Sequence, residues 1–144
     1  MQVTVDQLKA IVGGKVSAAV AANMRSVVQA LDSYGAPAGL DKRHRLAHLL
    51  AQISHESGGF KFDREIWGPT AAQKRYEGRK DLGNTVKGDG KKFAGRGPIQ
   101  LTGRGNYMRF HKWCAAQGLE PPDFTKTPDA INTDPWEGLS AIWY

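Results

Sequence analysis

The chain has 144 residues, 40% of them hydrophobic and 24% charged, with a formal net charge of +6. This length supports one buried core and, most simply, one domain; no run of about eighteen apolar residues is present, which excludes a membrane-spanning helix. The single cysteine, Cys114, excludes an intramolecular disulfide, and the cationic excess calls for a partner of negative character. Nucleic acid, anionic lipid and anionic cell-wall polymer all meet that description.

The start, "MQVTVDQLKA", has neither the basic flank nor the apolar run of a secretory signal, so synthesis in the cytoplasm is expected. Thr4 and Gln7 match a capping box ahead of Val5, Leu8 and Val12, predicting a short helix that Gly13-Gly14 stops. From Val16, the residues Val20, Met24, Val27 and Leu31 recur at helical spacing and predict a second helix. "SYGAPAG" (33–39) reads as a turn. A third helix follows, with Asp41 as its expected cap and Leu46, Leu49, Leu50 and Ile53 as its apolar stripe. Lys42, Arg43 and Arg45 crowd its first turns, where the helix dipole disfavours cations; they form either an anionic contact or a solvated face.

Residues 58–98 are rich in glycine and poor in periodicity, predicting a long loop with a short β-hairpin. Helical spacing resumes at Tyr107, Phe110 and Trp113, where Cys114 reads as a buried thiol rather than a nucleophile. Residues 121–135 form another connection, and a final helix is expected from near Trp136.

Two stretches carry the chemistry. In "SHESGGF" (54–60), Glu56 follows Leu49 and Ile53 at helical intervals, which places it toward the packing face. Desolvation there favours the protonated carboxyl, as a general acid requires, and Gly58-Gly59 ends the helix where a substrate could approach. Chemistry on sugars commonly needs a second carboxylate across a cleft; Glu65 and Glu77 both qualify, and periodicity does not choose between them. In "GRGPIQLTGRGNY" (95–107), Gln100, Thr102 and Asn106 offer neutral hydrogen-bonding groups and Tyr107 an aromatic face, a vocabulary suited to carbohydrate.

Other site types fail on spacing. G-x-G-x-x-G breaks at Gln100, no P-loop fits residues 83–105, and "DLGNTVKGDG" lacks EF-hand ligands. His44, His48 and His55 lack a further ligand at zinc spacing, so no metal or cofactor is expected and His55 reads as a neighbour of Glu56.

Together, "LAQISHESGGF" and "FAGRGPIQLTGRGNY" resemble the signatures of glycoside hydrolase family 19, which includes plant-type chitinases and a group of bacteriophage endolysins. The stretch from "RLAHLLAQISHESGGF" to "PWEGLSAIWY", with "EIWGPTAAQKRYEGR" between, is similar to the endolysin branch. The resemblance implies an all-α, lysozyme-like fold around a cleft, with helices of residues 1–35 packed on a catalytic core at 40–144. It implies Glu56 as general acid and Glu65 as the base that activates water, with Glu77 as fallback. Thr102 matches the hydroxyl that holds the water, and Gln100 and Asn106 match substrate-binding positions, with His55 and Tyr107 as further contacts.

The implied reaction is inverting hydrolysis of β-1,4 bonds between N-acetylated amino sugars, with room for a water between the acids. Peptidoglycan is the expected substrate, reached from inside a bacterium by a monomer without stable membrane insertion or a nucleic-acid partner. Chitin is the alternative substrate, and a non-catalytic wall-binding module is the alternative of another class. Family members usually continue beyond "AIWY", so a short C-terminus is expected to leave the cleft less complete. The spacing also resembles that of the other common phage lysozymes, but Thr70 follows Glu65 after four residues rather than five and is set aside.

Overall fold

Backbone hydrogen-bond demand at helix ends shapes the N-terminal half of the computed structural model, which describes residues 2–144. Helix α1 (Val5–Val12) carries the expected capping box: Gln7 N donates to Thr4 Oγ1 at 3.2 Å, and Thr4 N to Gln7 Oε1 at 2.9 Å. Ser17 caps α2 (Ala18–Tyr34), which buries Met24, Val27, Ala30 and Leu31. Helix α3 (Arg43–Glu56) starts at Lys42 with no side-chain cap. Asp41, expected in that role, sits one residue too early, and its carboxylate instead lies 3.5 Å from Lys42 Nζ. Lys42, Arg43 and Arg45 are all exposed.

The stretch read as a long loop holds short helices: α4 (Ala71–Lys74), a 3-10 turn (Lys80–Leu82) and α5 (Asp89–Lys92). Elements of three or four residues are too short to display a 3.6-residue repeat, so their sequence looked aperiodic. The expected β-hairpin is absent: among the described residues there are only isolated bridges, Arg64 with Arg96 and Arg96 with Leu101. Arg96 and Leu101 exchange two backbone hydrogen bonds of 3.1 and 2.8 Å around the 97–100 turn. Beside this pair, Gly95 gives both its backbone groups to Glu65.

Helix α6 (Arg104–Ala116) is started by buried Asn84, whose Oδ1 accepts from Arg104 N at 2.9 Å. A 3-10 turn (Pro128–Asn132) leads into α7 (Trp136–Trp143), whose most extensive helix contact is with α2. Gly138 permits it: a Cβ there would lie 2.0 Å from Ser26 O, and its own N donates to Ser26 Oγ at 2.9 Å. Leu8, Met24, Ile53, Tyr107, Phe110, Phe124 and Leu139 share one buried cluster, so α1 and α2 contribute to the same core as the later helices. Phe110 stacks on Phe124 with ring centroids 5.2 Å apart, and Cys114 is fully buried beside them. Burial pushes the Cys114 thiol up to about 12, consistent with an inert core residue.

Candidate active site

Glu56 is the last residue of α3, and it is exposed. The helix buries Leu46, Leu50 and Ile53, and buried Ser57 follows on the same stripe. At about 100° per residue, Glu56 lies roughly 90° around the helix from the centre of that stripe. The expected packing-face position of Glu56 is therefore corrected: Leu49, also half out of the stripe, was a poor guide to the inner face. The turn beyond it is nonetheless firmly built. Ser57 Oγ donates to Ile53 O at 2.6 Å and accepts from Phe60 N at 2.8 Å, and Asn23 Nδ2 donates to Phe60 O at 2.9 Å. Gln52 Nε2 donates to Glu56 Oε1 at 3.0 Å, holding the carboxylate from one turn back. His55, next to it, is exposed as well.

Glu65 has a different setting. Its Oε1 accepts from Gln73 Nε2 at 3.0 Å and from Tyr76 Oη at 3.4 Å, while its Oε2 accepts from Gly95 N at 2.9 Å. Its backbone N donates to Gly95 O at 2.8 Å, so side chain and main chain clasp the same glycine. Glu65 lines a groove of about 390 Å³ with Arg64, Trp67, Lys91 and Arg96. Burial, then the charge of Glu65, raises the pKa of the Tyr76 hydroxyl, which keeps it protonated and a donor.

Glu77 is exposed, yet both its oxygens are occupied: Gly88 N donates to one at 2.6 Å and Gly90 N to the other at 2.9 Å. It clamps the turn into α5. Thr70, set aside on spacing, caps α4 and accepts from Gln73 N at 3.2 Å.

Gln100, Thr102 and Asn106 are half-buried on the 97–106 segment and bond mainly to its own backbone. Gln100 Nε2 donates to Gly97 O at 3.0 Å, Thr102 Oγ1 to Gln100 O at 2.8 Å, and Asn106 Nδ2 to Thr102 O at 2.8 Å. Gln100 holds a left-handed φ of 58°, a conformation uncommon for a side chain of its size. Tyr107 is not an open aromatic face: it is fully buried. Its hydroxyl donates to Ala94 O at 2.6 Å and accepts from Arg96 Nη1 at 2.8 Å, and its ring meets Phe93 edge-on. Its helical register with Phe110 and Cys114 places it in the core rather than in the groove.

Gln73, Tyr76 and Gly95 escaped the sequence reading as site residues. The T-x-x-Q pattern of Thr70 and Gln73 was the available signal, identical in kind to that of Thr4 and Gln7.

No protein-family model matches the chain. A glycosyl hydrolase family 19 domain-containing protein of Haemophilus influenzae is 31% identical, over 84% of this chain and 70% of that protein. An endochitinase of Arabidopsis thaliana is 34% identical over 69% of the chain, which spans only 33% of that enzyme's length. Among solved structures, chitinase C from Streptomyces griseus superposes with a TM-score of 0.60 and 26% identity, over 83% of this chain and 56% of its own. A mutant of chitinase C gives a TM-score of 0.67 at 23% identity, over 99% of this chain and 53% of that one. The helix-rich fold is thus the lysozyme-like one of these chitinases, and, on the Haemophilus relative's identity and coverage, the chain belongs to glycosyl hydrolase family 19.

Proposed function

We propose that this protein is a glycoside hydrolase of the endolysin type, cleaving β-1,4 bonds between N-acetylated amino sugars of peptidoglycan by inverting acid–base hydrolysis. The observation that carries the reading is the setting of Glu65: a carboxylate on a groove, met only by donors, as a group that must accept a proton from water requires. Glu56, exposed at the end of α3 and steadied by Gln52, would give its proton to the departing glycosidic oxygen. The free protein does not bury it, so the bound glycan would supply its dry surroundings. Thr102 would help hold the water, with Gln100, Asn106 and His55 along the sugar. Glu77 is a poorer second acid, since its oxygens are already committed to Gly88 and Gly90.

The net charge of +6 favours an anionic wall over neutral chitin, and Arg64 and Lys91 bring that charge to the groove itself. A chitinase is the second reading, favoured by those relatives that are named endochitinases and chitinases. Mass spectrometry of digested sacculi and of chitin oligomers separates the two. New N-acetylmuramic acid reducing ends support a muramidase, and products from chitin alone support the chitinase. Wall binding without a new reducing end from either polymer would leave only a binding module.

A further inference from the structure

Gln73 is 5% exposed, and every hydrogen-bonding position of its amide is used. Its Oε1 accepts from Gly68 N at 3.0 Å and from Thr70 N at 2.8 Å. Its Nε2 donates to Ile66 O at 2.8 Å and to Glu65 Oε1 at 3.0 Å. The orientation of the amide is therefore fixed by chemistry. Turned over, its NH₂ would face two N–H donors, and its oxygen would face a carbonyl and a carboxylate. Three of the four bonds hold the 66–70 loop together; the fourth leaves the loop and reaches the carboxylate.

The fourth bond decides where Glu65 points. An ionised carboxylate offers about four lone-pair positions. Gln73 and Tyr76 take two on Oε1 and Gly95 N takes one on Oε2, leaving about one for a further donor. From this arrangement, and resting on the reading of Glu65 as the base, we infer that Gln73 is a positioning residue that turns the remaining lone pair of Glu65 toward the attacking water. Gly95 N fixes one oxygen, while the other is held by Gln73 Nε2 at 3.0 Å and by Tyr76 Oη at 3.4 Å. Gln73, carried on the short α4, makes the shorter of the two bonds to Oε1 and so sets the plane of the carboxylate.

Gln73→Glu tests this, because it keeps an oxygen for Gly68 N and Thr70 N and, once ionised, replaces the donor to Glu65 by an acceptor. The facing carboxylates raise each other's pKa, so kcat is compared at the optimum of each protein's pH profile. Thr70→Ala is the control, loosening the same loop without touching Glu65. Both are assayed on whichever polymer the wild type cleaves, below their thermal midpoints. The expected result is a drop in kcat of about 10- to 100-fold for Gln73→Glu, KM within about twofold, and near-normal kcat for Thr70→Ala. Equal losses in the two variants would overturn the inference and reduce Gln73 to a loop staple. So would an unchanged kcat in Gln73→Glu while Glu65→Gln is inactive, which leaves Glu65 as base intact. An active Glu65→Gln, or a wild type inactive on both polymers, removes the functional reading and this inference with it.

Discussion

Asp89 receives two donors from Arg104, Nε to Oδ2 at 2.8 Å and Nη2 to Oδ1 at 2.7 Å, joining α5 to the first turn of α6. The carboxylate is 1% exposed and also accepts from Val86 N, while a quarter of the Arg104 side chain remains open. The guanidinium holds the Asp89 carboxyl below the usual carboxylate range. A depressed value in the folded state means that stability is present above the unfolded pKa and is lost as pH falls through the folded one. Asp89→Asn should therefore cost stability toward the lower end of about 3–5 kcal/mol in urea unfolding at neutral pH and flatten the acid limb. An unchanged midpoint would show that the pair contributes nothing.

Glu137 titrates in the opposite sense. It is 4% exposed, and its Oε1 has no hydrogen-bond partner among the described residues. Burial, then the charges of Asp63 and Asp134, pushes its carboxyl from 4.5 up to about 8. The folded state thus holds a proton that the unfolded chain releases, so stability falls as pH rises from about 4.5 through about 8, by up to about 1.4 kcal/mol per pH unit. Glu137→Gln should remove this slope and raise the thermal midpoint at pH 8 more than at pH 5. Parallel melting curves for the two proteins across that range would refute it.

Tyr107→Phe deletes a hydroxyl that ties Ala94 O to Arg96 and should cost about 1–3 kcal/mol. Because Tyr107 is fully buried, KM for glycan should stay unchanged at temperatures where the variant is folded. A raised KM in the folded variant would restore Tyr107 as a substrate contact.

The second acid can be identified by charge removal alone. Glu65→Gln should lower kcat by at least about 10²-fold. Glu77→Gln should leave kcat within a few-fold and lower the thermal midpoint, since Glu77 secures Gly88 N and Gly90 N. The reverse ranking would make Glu77 the base. Glu56→Gln should abolish clearing of sacculi while wall binding persists; undiminished clearing would remove the general acid.

Much of the helical plan was legible because its signals are local. Thr4, Gln7, Ser17 and the Val20–Leu31 stripe act within one or two turns, and α1 and α2 follow them. Asp41 misled because a capping residue is defined by backbone geometry that composition does not reveal, and the chain turns into α3 one residue later. Glu56 misled because three-residue spacing brings residues near one another without making them share an inner face. The surroundings of Glu65 were beyond local reading: Gly95 is thirty residues away, and its contribution is a backbone N–H that every residue but proline has. Tyr107 resembled a sugar platform in its motif, yet its helical neighbours Phe110 and Cys114 already placed it inside.

The mutual clasp of Glu65 and Gly95 bears on protein engineering. A Cβ at Gly95 would meet Gln100 Oε1 at 2.7 Å, so a larger residue there would have to displace the Gln100 side chain. Grafting residues 95–102 from a relative would transplant an anchor of the Glu65 carboxylate along with Gln100 and Thr102. Chimeras should therefore exchange both strips of chain, 64–66 with 95–102, as one cassette.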